Sequence, residues 1–270
     1  MIFALAQITP CWNDPSAGLM KAEGYIREAA DKGASLIAFP EQFATGWDPT
    51  SHAYVQDLDG TIISVLRHYA RKYAIFVLGS FRETHSPHPY NTAVAIGPDG
   101  AILSSYAKIH LFSPAGEGNF FDPGERPGIF TVSDCHCGIA ICYDLRFADL
   151  FRLYRDAGVT MVLVPSSWPA QRQSHFLLFS RSRAVEFQMY IAAVNITGNT
   201  PVDSYCGGSC VINPHGDIIA EAGESEELLL CEISPDLATM TQLSFPISSD
   251  EKPDLFSRLL TSSDRNYNKQ

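Results

Sequence analysis

The sequence has little basic charge and no long apolar run. Its 270 residues include 30 Asp and Glu against 19 scattered Lys and Arg, which gives a formal net charge of −11. An acidic chain without a basic patch is poorly suited to bind nucleic acid or an anionic membrane surface. No apolar run approaches the ~20 residues that span a bilayer. We therefore expect no nucleic-acid or membrane partner, and the expected ligand is a small molecule.

The marks of a secreted protein are missing as well. The opening segment MIFALAQITPCW lacks the basic start and the long apolar core of a signal peptide. The cysteines number seven, an odd set that does not suit a disulfide framework. These features predict a protein of the reducing cytoplasm.

Zinc-ligand spacing is also absent. In the CHC segment, strand alternation would point His136 away from the thiols of Cys135 and Cys137, and no second ligand cluster follows. The CGGSC segment over residues 206–210 is not a C-x-x-C redox pair. We therefore expect no metal site.

Apolar strand-like runs alternate with helix-period stretches through most of the chain. Such alternation is typical of a layered α/β protein, and a hydrophobic content of 46% suffices for a sizeable core. Helices are predicted over about 14–32, 62–73, 147–157 and 173–188. Because no linker-like change in composition appears, we predict one domain over residues 1–260 and a polar tail over residues 261–270.

Three reactive side chains stand where predicted strands end, and a fourth lies in a loop between two of them. Glu41, Lys108 and Cys142 each follow an apolar strand, and Glu117 lies in a Gly/Pro-rich loop over residues 113–128. Ligands of α/β sheets gather at the carboxyl ends of strands, so these side chains are expected to converge. Each alone also has a structural interpretation: a packed cysteine, a turn carboxylate, a solvated lysine and, for Glu117, a solvated loop carboxylate.

Together these groups fit amide hydrolysis through a thioester. A thiol at its ordinary pKa of ~8.5 is mostly protonated at pH 7, so Cys142 needs a base, which Glu41 can supply. Lys108 and the backbone N–H of Tyr143 are suited to hold the oxyanion that forms. Glu117 is suited to orient Lys108 or to assist the proton transfers. A Cys–His arrangement is the alternative, and its candidate bases are His110, His136 and His175.

Three separated segments occur in a distinctive order: FPEQFATGW, YAKIHLF and CYDLRF. In this order they resemble the signature segments of the nitrilase superfamily of carbon-nitrogen hydrolases, and the resemblance extends over most of the chain. It implies that Glu41 is the general base, Lys108 the cation that stabilises the tetrahedral intermediate, and Cys142 the nucleophile. The family's second glutamate falls on Glu117. The resemblance further implies an α/β fold, a four-layer αββα sandwich whose protomers pair through their helical layers as a homodimer or larger homo-oligomer, and no metal or organic cofactor.

Within that superfamily, CYDLRF together with PSSWPAQRQSHF and FPISSDEKPDLF looks most like the ω-amidase branch. Members of this branch deamidate 2-oxo acid amides such as 2-oxoglutaramate. True nitrilases usually carry CWE at the nucleophile, whereas this chain has Tyr143 and Asp144 after the cysteine. The resemblance leaves open an amidase for N-carbamoyl amines or deaminated glutathione, and the non-enzyme alternative is a catalytically silent binding or scaffold protein.

An ω-amidase must hold the distal carboxylate of its substrate, and the planar fork of arginine suits that task. Arg146 and Arg172 are the candidates. For Arg146 we favour a second interpretation at this point, as a structural partner of Asp144 or Asp149. Two residues after a strand end are expected to line the pocket: Ser167 and Trp168.

Overall fold

Strands and helices alternate along the chain as the apolar pattern predicts. The structure, a computed structural model, describes residues 1–261, so the predicted polar tail lies outside the described residues except for Thr261. The strands are β1 (Ile2–Gln7), β2 (Leu36–Ala38), β3 (Phe76–Glu83), β4 (Tyr90–Ile96), β5 (Ile102–Ala107), β6 (Gly128–Val132), β7 (Cys135–Ile139), β8 (Met161–Ser166), β9 (Tyr190–Asn195), β10 (Thr197–Asn199), β11 (Ser204–Cys206), β12 (Cys210–Ile212), β13 (Ile218–Glu221) and β14 (Glu227–Glu232). The helices are α1 (Pro15–Asp31), α2 (Thr61–Tyr73), α3 (Ala148–Asp156), α4 (Gln173–Phe187), α5 (Pro235–Ser244) and α6 (Pro253–Thr261).

Two six-stranded sheets share one pattern of strand pairing. The first has the order β14-β1-β2-β3-β4-β5 and the second the order β13-β12-β9-β8-β7-β6. In each sheet three central strands run parallel, namely β1-β2-β3 and β7-β8-β9, and the remaining pairs are antiparallel. The carboxyl ends of the parallel strands therefore form one edge of each sheet, where ligands of α/β sheets bind.

Alternate residues of the first sheet face two different cores. On β1, Ala4 packs with α1 and α2, whereas Phe3 packs toward the second sheet. Helix α4 packs on β9 and β12 of the second sheet, and the rings of Phe151 and Phe187 stack with centroids 6.4 Å apart between α3 and α4. The order helix, sheet, sheet, helix confirms the predicted αββα sandwich.

The helix ends show why the local sequence forms these elements. The Asp14 carboxylate accepts a hydrogen bond from the N–H of Ala17 at 3.0 Å, Pro15 opens α1, and Gly33 follows it with φ of +76°. The four predicted helices correspond to α1–α4, whereas α5 and α6 were not predicted. Within residues 1–261, no helix combines the length and apolarity needed to cross a membrane.

Gly124 lets the Glu117 loop pack against the end of β5. Its N–H donates to the carbonyl of Lys108 at 2.9 Å. A Cβ at this position would lie 2.1 Å from the carbonyl oxygen of Ala107, well inside van der Waals contact. Glycine is therefore required for the loop to approach the strand that delivers Lys108.

We predict that Gly124→Ala destabilises the protein and that Gly24→Ala does not. The Gly124 change forces the loop away from β5 and is expected to lower the free energy of unfolding by ~1–3 kcal/mol. Gly24 lies within α1, and a Cβ there meets nothing within 4 Å. Its replacement is expected to raise the free energy of unfolding by ~0.5–1 kcal/mol. Urea unfolding of both variants checks this, and equal effects would contradict the steric argument.

Candidate active site

Lys108 brings two buried carboxylates together. Its ammonium nitrogen lies 2.8 Å from Oε1 of Glu41 and 2.9 and 3.2 Å from the two carboxylate oxygens of Glu117. All three side chains are at most 1% exposed. A buried charge is stable only when it is paired and hydrogen-bonded, so each of these groups requires the others.

Glu117 is the most heavily hydrogen-bonded of these groups. Besides Lys108, its carboxylate accepts from the N–H of Phe112 at 2.6 Å, the indole N–H of Trp47 at 3.3 Å and the amide of Asn91 at 3.2 Å. The interpretation of Glu117 as a solvated loop carboxylate is wrong, because the residue is fully buried.

Glu41 follows β2 and is fixed through Ser167, which follows β8. The Ser167 hydroxyl donates to the Glu41 carbonyl at 3.1 Å, and its backbone N–H donates to Oε2 of the carboxylate at 3.1 Å. This pair of bonds joins the carboxyl ends of parallel strands from the two sheets. The expected convergence of strand ends is thus observed for Glu41 and Lys108.

Cys142 begins a tight 3₁₀ turn, Cys142–Arg146, just beyond β7. Its φ of +46° lies in the left-handed region, which costs about 1–3 kcal/mol for a residue other than glycine. The buried Asp144 carboxylate holds the turn. It accepts from the N–H of Ile141 at 2.9 Å, from the hydroxyl of Tyr106 at 2.8 Å, and from the N–H and Nδ1 of His110 at 2.9 and 2.8 Å.

Burial and charge set different proton affinities for these groups. Burial raises the pKa of Glu41 above its ordinary value. The charge of Lys108 opposes this rise, and the charge of Glu117 adds to it. Burial opposes ionisation of Glu117 too, but Lys108 and the Phe112 N–H outweigh it and lower the pKa. Burial, with the charge of Glu41, raises the pKa of the Cys142 thiol well above its ordinary value. The raised pKa favours the protonated thiol, so nucleophilic chemistry at Cys142 would require a base.

Cys142 opens into a pocket with strongly aromatic walls. The lining residues are Trp47, Lys108, Phe112, Cys142, Tyr143, Arg146, Ser167, Trp168, Pro169 and Arg172. Of the residues expected at the site, these include both arginines together with Ser167 and Trp168. Trp168 is held in the wall because its indole N–H donates to the carbonyl of Arg172 at 2.8 Å.

Arg146 does not pair with either acidic residue proposed as its structural partner. The oxygens of Asp144 are occupied by the donors of the Cys142 turn, and Asp149 pairs with Arg152 at 3.2 Å. That structural interpretation is therefore wrong. The guanidinium instead lies over the ring of Trp168, 4.8 Å from its centroid.

The second arginine has a similar environment. The Arg172 guanidinium lies 5.7 Å from the ring centroid of Phe112. Burial and the positive charge of Arg172 lower the pKa of Arg146, which indicates that the two cations are close enough to repel. Within residues 1–261, neither arginine forms an ion pair with a carboxylate. Two unpaired cations at one pocket are suited to bind an anionic ligand group.

The histidines weighed as alternative bases lie elsewhere. His110 bonds to Asp144 and stacks on Phe147 with ring centroids 3.8 Å apart. His136 is exposed, opposite two buried cysteines as strand alternation predicts, and His175 lies 3.4 Å from Arg146. None of the three lines the pocket. Glu41, Lys108 and Glu117 are among the groups that shift the pKa of the Cys142 thiol.

Sequence reasoning missed Asn91 and Trp47, which both bond to Glu117. Asn91 had a usable signal. A regular count back from the β4–β5 turn places Asn91 opposite Ala107, one residue short of Lys108, and the bulge between Ala95 and Ile96 then brings Asn91 opposite Lys108. A polar residue facing the predicted lysine from a buried strand identifies a neighbour of the site.

Comparison with known proteins identifies the family. The Carbon-nitrogen hydrolase profile matches residues 3–242, so the chain belongs to the carbon-nitrogen hydrolase family and is a hydrolase of carbon–nitrogen bonds. The chain is 30% identical to a 2-oxoglutaramate amidase of Bacillus subtilis over 91% of its own length and 95% of that protein. It is also 30% identical to an omega-amidase of Homo sapiens, over 89% of its own length and 91% of that protein.

Solved structures of the family have the same fold. The CN-hydrolase superfamily protein XC1258 of Xanthomonas campestris, with an arsenic adduct in its active site, superposes with a TM-score of 0.88 at 25% identity and covers 93% of this chain and 97% of that one. An amidase of Nesterenkonia superposes with a TM-score of 0.85 at 27% identity over 96% of both chains. That structure is a Glu-to-Gln variant with the acetamide moiety of fluoroacetamide added to its active-site cysteine.

Proposed function

We propose that this protein hydrolyses the ω-amide of a small dicarboxylic or 2-oxo dicarboxylic acid, such as 2-oxoglutaramate, and releases ammonia through a Cys142 thioester. One observation carries the proposal: the pocket lined by Cys142 and Lys108 also holds two arginines that have no carboxylate partner among residues 1–261. The pocket thus offers a nucleophile for an amide and cations for a distal carboxylate. The names of the omega-amidase relatives agree with this substrate class.

The first half of the reaction forms the thioester. Cys142 Sγ attacks the amide carbon while Glu41 takes the thiol proton. The Lys108 ammonium and the N–H of Tyr143 stabilise the negative charge on the carbonyl oxygen, an effect worth ~2.7–4 kcal/mol for one donor. Glu41 then gives its proton to the leaving nitrogen, the C–N bond breaks, and ammonia departs.

The second half releases the acid. A water molecule loses a proton to Glu41 and attacks the thioester carbon. The C–S bond breaks, and the proton on Glu41 returns to Cys142 as the carboxylic acid leaves. Throughout both halves Glu117 remains ionised and holds the Lys108 ammonium in place. No cofactor is required for this sequence of proton transfers.

The protein is proposed to act in the cytoplasm as a homodimer. Its helical layer beside the second sheet exposes several large apolar side chains: Leu178, Val185, Met240, Leu243, Phe245 and Phe256. The ends of α4 and α5 are tied together, because Gln242 donates to the carbonyls of Phe187 and Gln188 at 3.5 and 3.2 Å. A second copy of the chain is the partner whose apolar layer matches this surface.

We predict that Cys142→Ala and Glu41→Gln each lower ammonia release from 2-oxoglutaramate by at least about 10³-fold, because nucleophile and base act as a unit. Intact-mass spectrometry should detect an acyl adduct on the wild type that Cys142→Ala lacks. Cys11→Ala changes a cysteine outside the pocket and is the matched control.

Retained activity in Glu41→Gln, with loss in a variant of His110, His136 or His175, would contradict Glu41 as base. Turnover of N-carbamoyl compounds alone, with carbon dioxide released, would contradict the ω-amide substrate.

We predict that Arg146→Met and Arg172→Met lower kcat/KM for 2-oxoglutaramate by ~10–100-fold through loss of the bound carboxylate. Hydrolysis of butyramide, which has no distal carboxylate, should change little. Arg27→Met, on the exposed face of α1, is the control for charge. Steady-state kinetics on both amides checks the prediction, and an equal loss on both would assign the arginines a structural role.

We predict that Leu243→Glu converts a dimer into a monomer. Leu243 is 76% exposed, and a charge there would be buried at the proposed contact. Met20, which is 72% exposed on α1 in the other helical layer, provides the control variant Met20→Glu. Light scattering after size exclusion measures the mass. A wild-type protein that is monomeric at micromolar concentration would contradict the dimer.

A further inference from the structure

Asn91 is a fully buried residue at the start of β4, between the two carboxylates of the site. Its amide nitrogen lies 2.8 Å from Oε1 of Glu41 and 3.2 Å from Oε1 of Glu117. Carboxylates accept hydrogen bonds, so only the NH₂ group can face them, and the amide orientation is chemically determined. The amide oxygen has no hydrogen-bond partner among residues 1–261.

Two carboxylates that share a buried site tend to hold one proton between them, since both cannot easily remain charged. Here one oxygen of each carboxylate is already occupied by the same two donors. Oε1 of Glu41 and Oε1 of Glu117 each accept from both Asn91 and Lys108. A proton shared between these oxygens would displace a donor, so the pair is kept from sharing one.

The other oxygen of Glu41 is the one left for proton transfer. Among described residues its Oε2 accepts a single bond, from the Ser167 N–H at 3.1 Å. Ser167 lines the pocket together with Cys142, so its N–H donor lies on the side of Glu41 that faces this pocket. Oε2 is therefore the oxygen on the Cys142 side.

We propose that Asn91 is a positioning residue that directs the transferred proton to Oε2 of Glu41, by occupying Oε1 and by keeping Glu41 from sharing a proton with Glu117. The inference rests on the proposed function, in which Glu41 is the base. Asn91 itself touches neither the thiol nor the substrate pocket.

The charges around Glu41 fix the direction of the expected effect. The groups that face it are Lys108 after β5, Glu117 in the loop, Cys142 after β7 and, more distantly, the Tyr205 phenol on β11. Burial raises the pKa of Glu41, and the Asn91 hydrogen bond is among the interactions that lower it. Loss of this bond raises the pKa further. Glu41 must be ionised to accept a proton. When the pH is lowered, the variant is therefore expected to lose activity at a higher pH than the wild type does.

The experiment compares Asn91→Leu, Asn91→Asp and the control Thr92→Val. Asn91→Leu removes both donors at similar volume, and Asn91→Asp keeps the shape while adding a carboxylate. Thr92 is the next residue of β4, is equally buried, and bonds to Glu83 at 2.7 Å outside the site. Two rates are measured against pH: kcat/KM for 2-oxoglutaramate, and alkylation of Cys142 by iodoacetamide followed by intact mass.

On the acidic side of each pH–rate profile, the acidic limb, the rate falls as the pH is lowered, and the pH at half the maximal rate is its midpoint. In Asn91→Leu this midpoint should rise by roughly 0.5–1 pH unit in both measurements, in proportion to one lost hydrogen bond. In Asn91→Asp it should rise further, and in Thr92→Val it should stay in place. If Asn91→Leu does not fold, the isosteric Asn91→Asp decides alone. Rates that fall equally at every pH, with an unmoved midpoint, would overturn the proposal and leave Asn91 a packing role.

The two proposals fail in distinguishable ways. If the midpoint for Cys142 alkylation rises in Asn91→Leu but the protein does not hydrolyse 2-oxoglutaramate, the role of Asn91 is supported and the proposed substrate is overturned. An acidic limb that is the same in Glu41→Gln as in wild type would overturn Glu41 as the base, and the role of Asn91 with it. A midpoint that moves in Thr92→Val as much as in Asn91→Leu would overturn the inference on Asn91 alone.

Discussion

The buried ammonium of Lys108 is the interaction on which the site depends. A cation this far from water is stable only beside opposite charge, and Glu41 and Glu117 provide it at 2.8–2.9 Å. The two carboxylates outnumber the one cation, so the neutral donors of Asn91, Trp47 and the Phe112 backbone are needed as well. The strand ends and the loop are thereby held in one arrangement.

A second buried carboxylate centre holds the Cys142 turn. Asp144 connects the Cys142 turn, which follows a strand of the second sheet, to Tyr106 on β5 of the first. Its bonds maintain the left-handed backbone of Cys142, a conformation that an isolated turn would abandon. The strained backbone of Cys142 is thus supported by hydrogen bonds that join the two sheets.

The three buried carboxylates differ in the number of hydrogen-bond donors around them. Glu117 and Asp144 accept hydrogen bonds from N–H or O–H groups on both oxygens, which fixes these carboxylates in place. Glu41 keeps one oxygen with a single backbone donor, and burial raises its pKa. The proposed role of Glu41 as a base needs that freedom. Hydrogen-bond saturation, more than residue type, separates Glu41 from Glu117 and Asp144.

The sequence by itself determined the features that depend on neighbouring residues. Strand and helix periods predicted the layered fold and α1–α4, the turn between β4 and β5 predicted the hairpin that delivers Lys108, and motif order indicated the hydrolase family. Only the tertiary structure decided the burial of Glu117, the aromatic surroundings of Arg146 and the bridging amide of Asn91. Glu41 and Ser167 meet across 126 positions of chain, and Asn91 and Glu41 across 50. The first contact is set by how the two sheets pack and the second by the order of strands within the first sheet, and no local pattern records either.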